Sequence, residues 1–425
     1  MNLLIIYLLK ILSSSIRLLN LGNGSTWPGH IALLINDKFI EQTLRRSKVK
    51  SVLIIGTNGK TTTSKLIRTI LKENKDKSVY NMSGANLLNG IASALIISSK
   101  LSGKLKKDYA IFEVDENAFA HVASKIKPDY VIALNLFRDQ LDRYGEIDTI
   151  VINWKKALEN LKNTTLILNA DDPQIAFLGK NFKKAFYFGL EEKNLQNTLL
   201  QHGADTLLCP KCSGKLKFRS YYFSHLGKWE CPNCNLKRPS PNLSKLDFYP
   251  LYGTYAKYDT LAAVLFAKLA KINEKVILKA LKNFKPAFGR QEVISYIEKD
   301  VQLFLSKNPI SFNESLSTVK KMGGKNIIIV LNDRIPDGLD VSWIWDIDFE
   351  NILDKDTNIL VSGDRMFDMA IRLKYAGLYA HITSDIKLAI DKMIENTGKN
   401  EKLYILPNYS AMLETRQVLT GKKIL

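Results

Sequence analysis

Short apolar runs alternate with amphipathic stretches along the chain from residue 51 onward. The runs at 51–56, 109–114, 130–136 and 165–170 are rich in β-branched and aromatic side chains, as buried strands are. Between them lie stretches with the spacing of an amphipathic helix, for example 61–74. This alternation predicts a mostly parallel, doubly wound sheet of the α/β class.

A second series of apolar runs lies in the C-terminal part of the chain. It resumes the alternation at 326–332, 358–363, 379–383 and 402–406, which predicts a smaller α/β domain. The preceding sequence Pro-Ala-Phe-Gly-Arg at 286–290 indicates a hinge. We therefore predict an N-terminal helical segment, a central domain and a C-terminal domain, with bounds 1–48, 49–290 and 291–425.

The N-terminal segment has apolar residues at 5, 8, 9, 12, 16 and 19, the spacing of one face of a helix. Its longest apolar run, Leu3–Leu9, is too short to span a bilayer. No basic stretch precedes the run and no A-x-A-like site follows it, so a signal peptide is not favoured. We predict a helix packed on the body of the protein, with a helix on the membrane surface as the alternative.

Composition and charge restrict the function only broadly. With 425 residues, 46% of them hydrophobic and 24% charged, the chain can form two or three cores and is not disordered. The 61 Lys and Arg residues exceed the 42 Asp and Glu residues and give a net charge of +19. This excess favours anionic partners, namely nucleotides, phosphorylated substrates, nucleic acid or an anionic membrane surface.

The four cysteines form two C-x-x-C pairs separated by 18 residues: Cys209, Cys212, Cys231 and Cys234. The spacing predicts a tetrahedral Cys₄ zinc ribbon in an insert at 200–245, with a redox dithiol as the less favoured alternative. The ribbon either stabilises a small insert or, because lysines flank it, contacts nucleic acid; we favour the structural role. With no cysteine elsewhere to form a disulfide framework, we expect a cytoplasmic location.

A candidate phosphate-binding loop lies between the first apolar run and a helical stretch. It consists of Gly56, Thr57, Asn58, Gly59, Lys60, Thr61 and Thr62. Glycines let the backbone approach phosphates, the lysine contacts β/γ oxygens, and a threonine hydroxyl reaches Mg²⁺. The common spacing G-x-x-x-x-G-K-[ST] is not met, because Ile54 stands where a glycine is required.

The heptapeptide G-T-N-G-K-T-T resembles the nucleotide loop of the Mur ligase superfamily in full. Further elements follow in that family's order at 111–116, 135–145, 169–173 and 289–292. The resemblance implies ATP and Mg²⁺, with Lys60 and Glu113 as catalytic residues and with Thr61 and Glu113 as ligands of the cation. It also implies that the nucleotide contacts Asn169, Asp171 and Arg290.

Several positions bear on how closely this pattern is followed. Gln140 stands where many members have a metal-binding histidine, and Ala256 and Asp259 replace two asparagines. Lys155 lies where many members carry a carbamylated lysine that bridges to a second Mg²⁺. The effect of the replacements and the modification of Lys155 are left open by the sequence.

Residues beyond the central domain make the resemblance more specific. The Asp-Tyr-Ala-His type motif with which amino-acid-adding Mur ligases begin their third domain is absent at 305–309. Instead, the segments 331–348, 362–365 and 372–377, together with the cysteine insert and 84–86, resemble the MurT family. That family comprises the Mur-ligase-like synthetase subunits of lipid II isoglutaminyl synthase.

This resemblance implies a carbon–nitrogen ligase with glutamine as the amido-nitrogen donor. Its reaction is ATP-dependent amidation of the D-isoglutamate α-carboxyl in the lipid II stem peptide to D-isoglutamine, through an acyl phosphate. Ammonia comes from a separate GatD-like glutamine amidotransferase subunit. An aspartate of this chain completes that partner's Cys-His pair; Asp346 is our match and Asp348 the alternative. The substrate implies a cytoplasmic protein that is peripheral at the inner face of the membrane.

Two other functions are kept as alternatives. One is a Mur or folylpolyglutamate-type ligase that adds an amino acid to a peptide or pterin substrate without a partner. The other is a basic zinc-ribbon protein that binds nucleic acid with a steep salt dependence and retains a vestigial ATPase core. We expect no nucleic-acid partner, and the positive charge is then available to attract lipid II at an anionic membrane.

Overall fold

The structure, a computed structural model, describes residues 6–11, 26–82, 84–100, 102–138, 147–195, 205–398 and 401–422. Gln140 and most of the predicted N-terminal helix lie outside these ranges. Residues 6–11 are helical, and Ile6 and Leu9 are buried in the core, as a helix packed on the body requires. Leu8, predicted on the buried face, is 58% exposed, because it lies about 100° around the helix from Leu9.

Six parallel strands form the central sheet, in the spatial order β2-β3-β1-β4-β5-β6. Their bounds are Lys50–Ile55 (β1), Ser78–Tyr80 (β2), Tyr109–Glu113 (β3), Tyr130–Ala133 (β4), Thr165–Asn169 (β5) and Ala185–Phe188 (β6). The four strands predicted from apolar runs are confirmed. Strands β2 and β6 escaped prediction because they are short and only partly buried.

Helices cover both faces of this sheet. They are Trp27–Ile35 (α1), Phe39–Ser47 (α2), Lys60–Glu73 (α3), Leu88–Ser98 (α4), Phe119–Ile126 (α5), Ile147–Glu159 (α6), Pro173–Leu178 (α7), Thr254–Leu269 (α8) and Glu274–Lys282 (α9). Val52 and Ile54 of β1 pack in the core that contains α3, α8 and α9, whereas Leu53 and Ile55 pack in the core that contains α4, α5 and α6. Burial on both faces explains why β1 is a continuous apolar run.

The cysteine insert forms an antiparallel hairpin of Lys217–Phe223 (β7) and Leu226–Glu230 (β8). One C-x-x-C pair precedes β7 and the other follows β8, so both lie at the open end of the hairpin. Around this end, Leu216 and Trp229 form a small core with Ala176 of α7, and Tyr187 of β6 packs against it. The insert is thereby attached to the end of the central sheet.

The C-terminal sheet has the spatial order β13-β12-β11-β14-β10-β9 and is parallel except for the β9–β10 pair. Its strands are Arg290–Tyr296 (β9), Lys299–Phe304 (β10), Asn326–Val330 (β11), Asn358–Ser362 (β12), Ala380–Ile382 (β13) and Leu403–Pro407 (β14). Its helices are Pro309–Lys321 (α10), Phe349–Ile352 (α11), Met366–Tyr375 (α12), Ile386–Asn396 (α13) and Tyr409–Thr420 (α14). In the part of the chain that the structure describes, we find no helix with the length and apolarity needed to cross a bilayer.

Candidate active site

The carboxyl ends of the central strands carry the predicted phosphate and cation ligands. The phosphate loop follows β1, Glu113 ends β3, and Asn135 follows β4. Open α/β sheets bind ligands at this edge, in the crevice where the strand order reverses. Strand β1 lies between β3 and β4, so these three chain segments meet in one place.

Two glycines of the loop adopt backbone conformations that exclude a side chain. The φ angles of Gly56 and Gly59 are +133° and +91°. A Cβ on Gly59 would lie 2.1 Å from Asp259 Oδ1, and one on Gly56 would lie 2.9 Å from the Asn135 carbonyl oxygen. The Asn135 side chain holds the loop, because it accepts from the Asn58 N–H at 2.9 Å and donates to the Asn58 carbonyl oxygen at 3.0 Å.

Lys60 is the first residue of α3, where backbone N–H groups and the helix dipole attract anions. Its Nζ lies 3.0 Å from Glu116 Oε1 and also donates to the Gly56 carbonyl oxygen. The lysine is therefore held within the loop by a carboxylate and a carbonyl. A nucleotide phosphate would compete with Glu116 for the ammonium group.

Thr61 and Glu113 form the candidate cation site. The Thr61 hydroxyl donates to Glu113 Oε2 at 2.6 Å. Asn81 fixes the Glu113 backbone, because its side chain accepts from the Glu113 N–H at 3.0 Å and donates to the Glu113 carbonyl oxygen at 2.9 Å. Hydroxyl and carboxylate oxygens are the ligands that Mg²⁺ prefers, so these two side chains fit that ion.

A cavity of about 650 Å³ lies in front of the loop, between the central and C-terminal sheets. Of the predicted residues, it is lined by Thr57–Thr62, Glu113 and Arg290, whereas Gly56 lies outside its lining. Lys307 and Ser311, at the start of α10, line it from the C-terminal part. The site is therefore built from both sheets.

Arg290 and Asp259 both line the cavity wall beside the loop, and each affects the pKa of the other. Burial raises the pKa of the Asp259 carboxyl well above its usual value, and the Arg290 guanidinium partly opposes this. Burial also lowers the pKa of Arg290, against the effect of Glu113 and Asp259. The aspartate that replaces an asparagine of the family pattern thus adds an acidic group next to Gly59, and Arg290 is the cation that faces it.

Asn169 and Asp171 are fully buried and do not line the cavity. Asn169 Nδ2 donates to the Leu134 carbonyl oxygen at 2.8 Å. Asp171 accepts from the Tyr258 hydroxyl at 2.6 Å and forms an ion pair with Arg238 of the insert. Burial raises the pKa of Asp171, and Arg238 opposes this effect. Both residues hold the ends of the strands in place, and their contact with a nucleotide stays a prediction.

Lys155 of α6 also lies away from the cavity lining. Its Nζ is 5.0 Å from the centre of the Phe177 ring. This position gives no support to a carbamate that bridges two cations, and the modification stays open. Ala256, at the first of the two replaced asparagines, is fully buried in the first turn of α8.

Several cavity residues escaped the sequence analysis, among them Glu116, Tyr255 and Glu314. Gln291 donates to the Tyr255 hydroxyl at 2.6 Å, and burial raises the pKa of this tyrosine. Burial raises the pKa of Glu314 to about 7. In the sequence, Glu314 is visible only as an acidic residue within the stretch 309–321. Glu116 is visible only by its place in the acidic segment 111–116.

The four cysteine Sγ atoms lie within 4.8 Å of one another. The separations are 3.6 Å between Cys209 and Cys234 and 3.5 Å between Cys212 and Cys231. Zn–S bonds of about 2.3 Å in a tetrahedron require S–S separations of about 3.8 Å. The geometry and the thiolate donor set therefore fit a zinc ion.

Asp346 and Asp348 differ in accessibility. Asp346 ends the 3₁₀ turn Ser342–Asp346; its side chain is 45% exposed and its Oδ2 lies 3.8 Å from Arg138 Nη2. Asp348 is buried: its Oδ2 accepts from Asn313 Nδ2 at 3.0 Å, and its N–H donates to Asn313 Oδ1 at 2.9 Å. Of the two, Asp346 is the one that a second protein can reach.

Comparisons with known proteins agree with this arrangement. Residues 54–221 match the family model of the Mur ligase middle domain, and residues 305–412 match that of the MurT ligase C-terminal domain. Among solved structures, a pseudomurein peptide ligase type C from Methanothermus fervidus superposes with a TM-score of 0.66 at 23% identity, covering 88% of this chain and 79% of that one. This likeness establishes the Mur ligase fold.

Two curated relatives match nearly the full length. The lipid II isoglutaminyl synthase (glutamine-hydrolyzing) subunit MurT of Streptococcus pneumoniae is 34% identical, over 97% of this chain and 96% of that protein. The subunit of the same name from Staphylococcus aureus is 32% identical, over 92% of this chain and 91% of that protein. The chain therefore belongs to the MurT family.

Proposed function

We propose that this chain amidates the α-carboxyl of D-isoglutamate in the lipid II stem peptide at the expense of ATP. The observation that carries the proposal is its near full-length similarity to two subunits of lipid II isoglutaminyl synthase. The cavity supports it, because the phosphate loop, the Thr61–Glu113 pair and Arg290 line one space. Phosphoryl transfer needs such a set of positive charges and cation ligands around the phosphates.

In the first step, an oxygen of the acceptor carboxylate attacks the γ-phosphorus of ATP, the acyl phosphate forms and ADP leaves. Lys60 binds β- and γ-phosphate oxygens after it leaves Glu116, and the N-terminus of α3 adds N–H donors. Arg290 contributes a second cation from the opposite sheet. Thr61 and Glu113 would hold Mg²⁺, which would neutralise negative charge on the transferred group.

In the second step, ammonia attacks the acyl carbon, phosphate leaves, and the loss of a proton gives the amide. Glutamine hydrolysis to supply the ammonia needs a nucleophile, and all four cysteines of this chain lie in the candidate metal site. Use of glutamine therefore needs a partner, and the similarity to MurT subunits implies that this partner is a GatD-like glutaminase. The reaction is that of a carbon–nitrogen ligase with glutamine as the nitrogen donor.

We place the contact with the glutaminase at Asp346. An exposed carboxylate can orient a histidine of the partner and stabilise its protonated form, as the third member of a triad does. Trp345 and Tyr375 lie next to it with ring centres 5.4 Å apart, and they are 49% and 75% exposed. Exposed aromatic side chains of this kind are favoured anchors of protein interfaces.

Because the substrate is a lipid, the proposed reaction takes place at the membrane surface. Several exposed apolar side chains near the N-terminus are available for such a contact: Tyr7, Leu8, Ile11, Trp27, Leu34 and Ile35. The net charge of +19 favours approach to an anionic bilayer. Zn²⁺ in the cysteine cluster completes the cofactors, and its role is to keep the insert folded.

The test is mass spectrometry of lipid II incubated with the protein, Mg²⁺-ATP and ammonium chloride. We expect the stem peptide to show the mass change of an OH group replaced by NH₂, dependent on ATP and abolished in Lys60→Ala. Glutamine should replace ammonium only when a purified GatD-like subunit is added. A stem peptide that gains the mass of an amino acid, or stays unchanged with the partner present, would contradict the proposal.

A further inference from the structure

The closed end of the cysteine hairpin is inserted into the central part of the protein. Next to the β7–β8 turn, the Gly227 N–H donates to the Asp171 carbonyl oxygen at 3.0 Å. Further along β8, Trp229 Nε1 donates to the Ala170 carbonyl oxygen at 3.1 Å. The turn is thereby held at the carboxyl end of β5, on the edge of the sheet that binds ligands.

His225, in the β7–β8 turn, lies against the segments that follow β4 and β5, beside Phe137 and Asp172. It is fully buried, and its Nδ1 accepts from the Asp205 N–H at 3.4 Å. Its Nε2 faces Asp172 Oδ2 at 3.6 Å, and the same carboxylate oxygen accepts from the Leu136 N–H at 2.9 Å. The tip of the insert is therefore connected to the segments that follow β4 and β5.

Phe223, the last residue of β7, lines the same cavity as the phosphate loop. Its ring centre is 6.0 Å from that of Phe137 and 5.7 Å from that of Tyr258, and both of these residues also line the cavity. Phe137 is attached to the loop, because its N–H donates to Thr57 Oγ1 at 3.0 Å. The cavity thus joins a charged end, which suits phosphates, to an aromatic wall.

We propose that this aromatic wall, formed by Phe223 of the cysteine insert with Phe137 and Tyr258, is the subsite for the purine base of the nucleotide. This inference rests on the proposed function, in which the nucleotide is ATP. Aromatic side chains bind bases through their ring faces. The Tyr258 hydroxyl is already bonded to Asp171, so the part of this side chain available to a base is its ring. The insert then serves nucleotide binding in addition to its own stability.

If the base lies against Phe223, the cysteine cluster affects binding of the base, whereas the loop binds the phosphates. A metal ion in the cysteine cluster would hold the open end of the hairpin, and the hydrogen bond between Gly227 and Asp171 holds its closed end. Loss of the metal or of the Phe223 ring should weaken contacts with the base. Contacts of Lys60, Thr61 and the α3 N-terminus with the phosphates should persist.

Calorimetric titration with Mg²⁺-ATP and with Mg²⁺-tripolyphosphate, which lacks the base and ribose, separates the two ends of the cavity. We expect Phe223→Leu to weaken ATP binding about tenfold or more, while tripolyphosphate binding stays within about twofold. Phe137→Leu should behave alike. Phe218→Leu, on the same strand but stacked on Tyr221 outside the cavity lining, is the matched control and should change neither affinity. Removal of zinc with a selective chelator in excess Mg²⁺ should reproduce the Phe223→Leu pattern.

Several results would overturn the assignment. Unchanged ATP affinity in Phe223→Leu, or an equal loss in Phe218→Leu, would remove the base subsite while leaving ATP as the nucleotide. Should Phe223→Leu lose both ligands because it misfolds, Phe137→Leu decides, and unchanged ATP affinity there overturns the inference. Failure of the wild-type protein to bind either ligand would instead overturn the proposed function, and this inference with it.

Discussion

The Thr61 hydroxyl and the Glu113 carboxylate are joined by a 2.6 Å hydrogen bond at the carboxyl edge of the central sheet. Thr61 lies in the first turn of α3 and Glu113 at the end of β3, so the bond connects two elements that are far apart in the sequence. Both side chains face the cavity that Lys60 and Arg290 also line. A cation bound between them would sit beside the phosphates.

Removal of the Glu113 charge should therefore abolish most phosphoryl transfer. We expect Glu113→Gln to lower kcat about a hundredfold or more and to raise the Mg²⁺ concentration needed for half-maximal rate. Steady-state kinetics over a Mg²⁺ titration measures both quantities. Glu159→Gln, an exposed position at the end of α6, is the control and should leave them unchanged. Equal Mg²⁺ requirements in the two variants would contradict the assignment.

Gly323, outside the phosphate loop, is a matched control for Gly59, since both have positive φ angles, +74° and +91° respectively. A Cβ at position 59 would collide with Asp259, whereas nothing lies within 4 Å of one at position 323. Gly323→Ala should lower the free energy of unfolding by about 1–2 kcal/mol through backbone strain alone. Gly59→Ala should lower the free energy of unfolding by more than this, measured by denaturant titration, and should abolish ATP binding, measured by calorimetry. Similar losses of stability in the two variants would contradict the collision between a Cβ at position 59 and Asp259.

Asp346 and Asp348 should separate in function. We expect Asp346→Asn to lower glutamine-dependent amidation about a thousandfold or more in the presence of the glutaminase, with ammonium-dependent amidation retained. Asp348→Asn should instead lower the free energy of unfolding, because it breaks a buried pair with Asn313. Amidation assays with the two nitrogen sources, beside thermal unfolding, distinguish them. Loss of both activities in Asp346→Asn would place this residue in the synthetase site.

Glu314 should make stability depend on pH. Its folded-state pKa of about 7 lies above the usual 4.5, so its stabilising contribution is complete below about pH 4.5 and is lost as pH rises through 7. Glu314→Gln avoids this loss. Its free energy of unfolding should exceed that of the wild type by up to about 3 kcal/mol at pH 8, with the difference disappearing near pH 4. Glu298→Gln, an exposed control, should show no such trend in denaturant titrations at several pH values.

The sequence predicted the elements whose signals are local. Strand β1 is apolar throughout because both of its faces are buried, and the two C-x-x-C pairs specify a cysteine cluster by spacing alone. The β9–β10 hairpin was missed because alternate residues of Arg290–Tyr296 are exposed, which hides the strand among polar residues. The predicted burial of Leu8 was wrong, because this side chain lies about 100° around the helix from the buried Leu9.

The candidate site was predicted where a motif is contiguous and missed where it depends on distant contacts. The loop 56–62 was found by its heptapeptide, but the contact of Gly59 with Asp259 joins residues 200 positions apart in the chain. Likewise, nothing in the local pattern of Phe223 indicates that it lines the same cavity as Lys60. Asp171 belongs to a motif of the family that predicts contact with the nucleotide, whereas in the structure its carboxylate is bonded to Tyr258 and Arg238.

In the proposed reaction, ATP activates the carboxyl group of the stem peptide as an acyl phosphate. Transfer of an isotope label from the carboxyl group to phosphate tests this step. Lipid II with ¹⁸O in the D-isoglutamate α-carboxyl is incubated with the protein, Mg²⁺-ATP and ammonium. The released phosphate is then analysed by mass spectrometry. We predict that each amide formed is matched by one phosphate that carries ¹⁸O. Amide formation with unlabelled phosphate, or labelled phosphate without amide in the presence of ammonium, would exclude this acyl phosphate as the intermediate.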